Sequence, residues 1–147
     1  MNTKTLLMAS FLGGLVSTVL VNAPFVNLIN VLLCAGFWVG PFAAVWIYRR
    51  QAAPPTMGQA IGIGALAGLW HGVIGVALSF VGLAGASGML RDLQAVVPAQ
   101  DLPNLEAALK GAGAILFNVV GVAIDVVFGF IGGLIGGAIF RPGRAAA

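Results

Sequence analysis

Long apolar runs alternate with short polar breaks along the whole chain. The runs cover residues 5–21, 25–48, 57–83 and 112–140, and a helix needs about 20 mostly apolar residues to cross a bilayer. Between them lie NAPF, RRQAAPPT with its paired prolines, and the longer RDLQAVVPAQDLPNLEAALK, while RPGRAAA follows the last run. The pattern predicts an all-α integral membrane protein: four transmembrane helices forming a single membrane domain over residues 1–147. Pro41 falls inside the second run, where it removes one backbone hydrogen bond and is expected to kink the helix. In the third break, an outer loop over about residues 88–110, LPNLEAALK places Glu106 and Lys110 four apart, which predicts a short interfacial helix.

Composition narrows the class. Of 147 residues, 60% are hydrophobic and 7% charged, with a mean hydropathy of +1.05, against about 25% charged residues in a soluble domain. The net charge of +3 rests on so few side chains that no nucleic-acid partner is expected; the lipid bilayer is the expected surrounding. Cys34 is alone and lies in an apolar run, so no intramolecular disulfide and no cysteine-based metal site can form. No HExxH, GxSxG, phosphate loop or CxxC occurs, and the expectation is a non-enzyme without a cofactor. Lys4, the first apolar run and Val21-Asn22-Ala23 have the layout of a signal peptide, but Pro24 in the first mature position disfavours cleavage. The run is therefore read as a retained first span.

Lys and Arg favour the cytoplasmic side of a membrane. Placing both termini and the second break there gathers Lys4, Arg49, Arg50, Arg141 and Arg144 inside and leaves Arg91 and Lys110 outside. The expected topology is N-in/C-in and multi-pass, in a bacterial cytoplasmic membrane. Trp46 and Tyr48 beside Arg49 and Arg50 read as an interfacial anchor, whereas Trp38 and Trp70 lie deeper and are assigned to packing.

One carboxylate, Asp125, interrupts the fourth run. Counting a rise of about 1.5 Å per residue from the cytoplasmic edge puts Asp125 roughly 23 Å up its span and His71 roughly 20 Å up the third. At about 100° per residue, Asn118, Asp125, Gly129, Gly132 and Gly136 share one narrow stripe. His71 shares another with Gly64, Gly68, Gly75 and Gly82. The repeats Gly64/Gly68/Gly72 and Gly129/Gly133/Gly137, with Gly36 and Gly40 in the second run, are GxxxG patterns that let helix backbones approach closely. Spans three and four are thus expected to pack through glycine-rich faces, with Asp125 meeting His71 or an asparagine in a polar intramembrane cluster that includes Asn118, Asn22 and Asn30. Ser17 and Thr18 are expected to bond back to the preceding turn.

Two chemistries suit such residues. Intramembrane acids mark proton and ion paths, and AIGIG at 60–64 with GVAID at 121–125 resembles the glycine-rich and acid-bearing helices of ATP synthase proteolipid c subunits. That resemblance implies a titrating Asp125 in a small channel or proton-coupled carrier. The polar loop here is longer than in that family, lacks its Arg-Gln-Pro type motif, and falls on the outer side. Ala67 and His71 have the AxxxH spacing with which light-harvesting polypeptides ligate bacteriochlorophyll, so a bacteriochlorophyll or haem ligand at His71 is a further alternative. Over much of its length, through NLINVLLC, AVWIYRR and GGLIGGAIF, the chain resembles small four-span bacterial membrane proteins, a group that brings no activity with it. The expected role is a non-enzymatic accessory or scaffolding subunit, as a homo-oligomer or with other membrane subunits.

Overall fold

The computed structural model describes residues 2–22, 35–81, 98–109 and 111–140. Among these residues the chain forms five helices: α1 (Thr3–Asn22), α2 (Ala35–Gln51), α3 (Met57–Phe80), α4 (Leu102–Ala108) and α5 (Ala112–Ile139). Three of them, α1, α3 and α5, are long and apolar enough to cross a membrane. The first part of the second apolar run, with Asn30 and Cys34, lies outside the described residues, as do Gly82, Arg91, Lys110, Arg141 and Arg144.

Local chemistry sets several helix ends. The Asn2 side chain accepts from the Lys4 and Thr5 amides, at 3.2 and 3.4 Å, and so satisfies free donors at the start of α1. Thr56 caps α3 reciprocally with Gln59: the Gln59 amide donates to Thr56 Oγ1 at 3.3 Å and the Thr56 amide to Gln59 Oε1 at 3.0 Å. Helix α2 runs three residues beyond Tyr48, carrying Arg49 and Arg50 in its last turn, where cations favour the carbonyl end of the helix dipole. Between α4 and α5, Gly111 has φ 57°, a backbone conformation that a side chain would strain.

The contacts between helices give the arrangement. Helix α3 lies against α1, α2 and α5, with its most extensive interface on α5; α2 also touches α1 and α5. Gly64 faces Gly133, Gly68 faces Asp125 and Val126, and Gly72 faces Val122, so α3 and α5 run antiparallel. Gly14 faces Ala67 and Trp70 while Thr18 reaches His71, so α1 and α3 run parallel. Gly132 against Pro41 and Gly136 against Val45 make α2 and α5 parallel as well. The start of α1 and the end of α5 therefore lie at the same end of the bundle.

Small residues govern how closely these helices approach. A Cβ added to Gly64 would fall 2.6 Å from Gly133 Cα, and one on Gly132 would fall 2.8 Å from Pro41 Cβ. The α5 stripe is in fact two adjacent ones, with Gly129, Gly133 and Gly137 turned to α3 and Gly132 and Gly136 turned to α2. In α1, Ala9, Gly13 and Ser17 and the neighbouring Ser10, Gly14 and Thr18 are all buried. Gly13 meets Ala44 and Gly40, which makes Gly40 part of the α1–α2 contact. Gly36 is buried on α2. Gly75 departs from the expected stripe: a Cβ there would meet nothing within 4 Å.

Replacing Gly64 by Leu inserts a side chain against backbone that cannot yield, and should destabilise the protein by at least the ~1–3 kcal/mol typical of overpacking. Gly75→Leu should leave stability nearly unchanged. Thermal unfolding followed by circular dichroism in detergent separates the two; equal midpoints for both variants would contradict the close α3–α5 approach.

Candidate functional site

Two of the buried polar side chains, Thr18 and Asp125, meet at a third, His71. It is 6% exposed on α3, and Asp125 on α5 is 9% exposed. His71 Nε2 lies 3.6 Å from Asp125 Oδ1, an ion-pair separation slightly longer than a direct hydrogen bond. On the opposite edge of the imidazole, Nδ1 lies 3.0 Å from Thr18 Oγ1 of α1. Phe37 of α2 meets the imidazole edge-on, with centroids 5.8 Å apart and planes at 76°, and packs in turn on Phe128 at 5.5 Å. His71 is thus held by side chains from each of the other three long helices.

Close packing puts the acid there. Gly68 lets the α5 backbone at Asp125 and Val126 come up against α3, and a Cβ at Gly72 would lie 3.1 Å from Asp125 Oδ2. The second carboxylate oxygen therefore occupies space that a larger residue at position 72 would take.

Proton bookkeeping limits the states of this cluster. The Thr18 hydroxyl carries one proton, and Oγ1 also lies 3.0 Å from Gly14 O. If that proton goes to Gly14 O, His71 Nδ1–H donates to Thr18, and a single further proton is shared between Nε2 and Asp125. The cluster is then neutral as a whole, either as imidazolium with carboxylate or as imidazole with carboxylic acid. If Thr18 instead donates to Nδ1, Nε2–H faces Asp125, and the cluster is neutral when Asp125 is protonated and carries one unbalanced negative charge when it is ionised. Burying an unbalanced charge is costly, which favours the neutral states of either arrangement.

Other residues expected in the cluster are elsewhere. Asn118 is on α5 but about 10 Å along the helix from Asp125, and its Nδ2 is 3.5 Å from Ser79 Oγ. Asn22 donates from Nδ2 to Thr18 O at 2.8 Å, within its own helix. A shared stripe aligned Asn118 with Asp125 in angle, but two helical turns separate them in height. Tyr48 also differs from a surface anchor: it is 3% exposed and packs in the core with Leu6, Ala9, Ala44 and Val45. Trp46 is 43% exposed and Trp70 meets Phe11 edge-on at 5.4 Å.

Thr18 is the member that reading the sequence missed. Its back-bond to Gly14 was expected; its approach to His71 was not. Counting from Lys4 places Thr18 roughly 21 Å up the first helix, the height of His71, so the signal was available. Ser17 differs from Thr18 and does not make the expected back-bond, since its Oγ has no hydrogen-bond partner among the described residues and lies where a Cβ on Gly40 would go.

In comparisons with known proteins, no family model, no curated relative and no solved structure matches the chain.

Removing Thr18 and His71 singly and together, as Thr18→Val and His71→Leu, should give a coupling energy of about 0.5–2 kcal/mol, the range of hydrogen bonds between membrane helices. A double-mutant cycle on unfolding in mixed micelles measures it. Coupling indistinguishable from zero would mean that the two side chains do not act together.

Proposed function

We propose that this chain is a non-enzymatic integral membrane protein of four spans packed through glycine-rich faces, acting as an accessory or scaffolding subunit of a homo-oligomer or larger membrane complex. The observation that carries the reading is the closure of the polar cluster: Thr18, His71 and Asp125 are turned to one another across three helices, which locks their mutual positions. Such a cluster specifies which helix faces meet, because any other pairing would leave His71 or Asp125 unpartnered in an apolar medium.

The outer surface supports a membrane setting. Val19, Ile115, Leu116, Val119, Val127, Leu134 and Ile139 are all exposed, which lipid or neighbouring subunits would cover. The second apolar run, residues 25–48, is long enough in sequence to serve as a fourth span. Lys4, Arg49 and Arg50 then share the end of the bundle that holds the start of α1 and the end of α5, which supports both termini facing the cytoplasm of a bacterial cell.

A second reading has a specific observation behind it. His71 Nε2 and Asp125 Oδ1 face each other at 3.6 Å, two groups between which a proton can pass as a proton-coupled carrier needs, and the side chain most directly tested is Asp125. A pigment or haem ligand is less well supported by the geometry. His71 Nε2 would have to leave Asp125 for a metal, and Ala67, the small residue one turn before it, is wholly buried with its carbonyl close to Gly14 of α1.

In vesicles, the wild-type protein should conduct no more protons than protein-free controls, and Asp125→Asn should not change this. Light scattering in mild detergent should show a particle larger than one 14.9 kDa chain, or a co-purifying subunit. A monomer with proton flux that Asp125→Asn abolishes would replace the scaffolding role by the carrier.

A further inference from the structure

A basic recess lies at the end of α2. Trp46, Arg49 and Arg50 line a recess of about 300 Å³ open to the outside. Arg50 Cζ sits over the Trp46 ring, 4.9 Å from its centroid, and Arg49 Cζ sits over the Phe140 ring at 5.3 Å. A guanidinium that rests on an aromatic face is held in place and still has N–H donors for an oxyanion. Two such groups on consecutive residues offer forked, charge-assisted hydrogen bonds that suit a phosphate better than two flexible ammonium groups would.

No described acid neutralises them. Asp125 faces His71, and Asp101 and Glu106 precede α5, whose 28 residues separate them from Phe140 by about 42 Å. Charge is therefore segregated between the two ends of the bundle. The recess also stands at the rim of the apolar surface, since Trp46 is 43% exposed and Ile139, beside Phe140, is 61% exposed.

We propose that this recess binds the phosphodiester headgroup of an anionic phospholipid, with Arg49 and Arg50 donating to the phosphate oxygens. An acyl chain attached to that phosphate has apolar surface to follow, which a free phosphate would not use. The site depends on the membrane setting and not on the accessory role, so a monomeric or transporting protein would leave it standing.

Native mass spectrometry of the full chain in mild detergent tests this, with phosphatidylglycerol and phosphatidylcholine as probes and inorganic phosphate as competitor. Phosphatidylglycerol should be retained in preference to phosphatidylcholine, and millimolar phosphate should not displace it. Arg49→Gln with Arg50→Gln should weaken phosphatidylglycerol binding roughly 25-fold, about fivefold for each basic side chain at a membrane surface. Arg49→Lys with Arg50→Lys, which keeps the charge and loses the fork, should fall between. Lys4→Gln, at the same end of the bundle, should bind as the wild type does, and all variants should share its thermal midpoint. Equal retention of the two lipids, displacement by phosphate, or an equal loss in Lys4→Gln would each overturn the site.

Discussion

The burial of one imidazole among four helices is the constraint around which this protein is organised. His71 contacts Thr18 through Nδ1, Asp125 through Nε2 and Phe37 through its ring, and those three residues come from α1, α5 and α2. An apolar interface tolerates rotation and sliding, because one set of methyl contacts resembles another. A histidine with two directional nitrogen contacts does not. Any slip of α1 or α5 against α3 separates at least one polar pair in surroundings without water to replace it.

That constraint works only because the backbones are close. The carboxylate reaches the imidazole across an interface where Gly64, Gly68 and Gly72 meet Gly129, Gly133 and the backbone of Asp125. With larger residues there, α3 and α5 would stand farther apart and Asp125 would lose its partner. The small residues of α1 do the same on the other side, bringing Thr18 within 3.0 Å of Nδ1. Packing and polar specificity are thus one arrangement, in which glycine sets the distance and the cluster sets the register.

Distribution of charge adds a second, independent order. Inside the bundle the two ionisable side chains, His71 and Asp125, face each other, while among the described residues Lys4, Arg49 and Arg50 lie at the end where α1 begins and α2 and α5 finish. The interior cluster fixes helix against helix, and the basic end lies apart from it. Aromatic rings serve both, Phe37 against His71 in the interior and Trp46 and Phe140 under the arginines at the rim.

Much of this was legible in the chain itself. Run lengths and the near absence of charge determined a helical protein with membrane-spanning segments, because a bilayer requires helices of that length and apolarity whatever they pack against. Depth counting brought Asp125 and His71 to the same level, since rise per residue is a property of the helix alone. Neighbours are not such a property. Only the tertiary structure decided that Thr18 completes the cluster, that Asn118 pairs with Ser79, that Tyr48 turns inward and that α5 divides its glycines between two helices. Each of those outcomes depends on the rotation of one helix relative to another, and that rotation is set by all the interfaces at once.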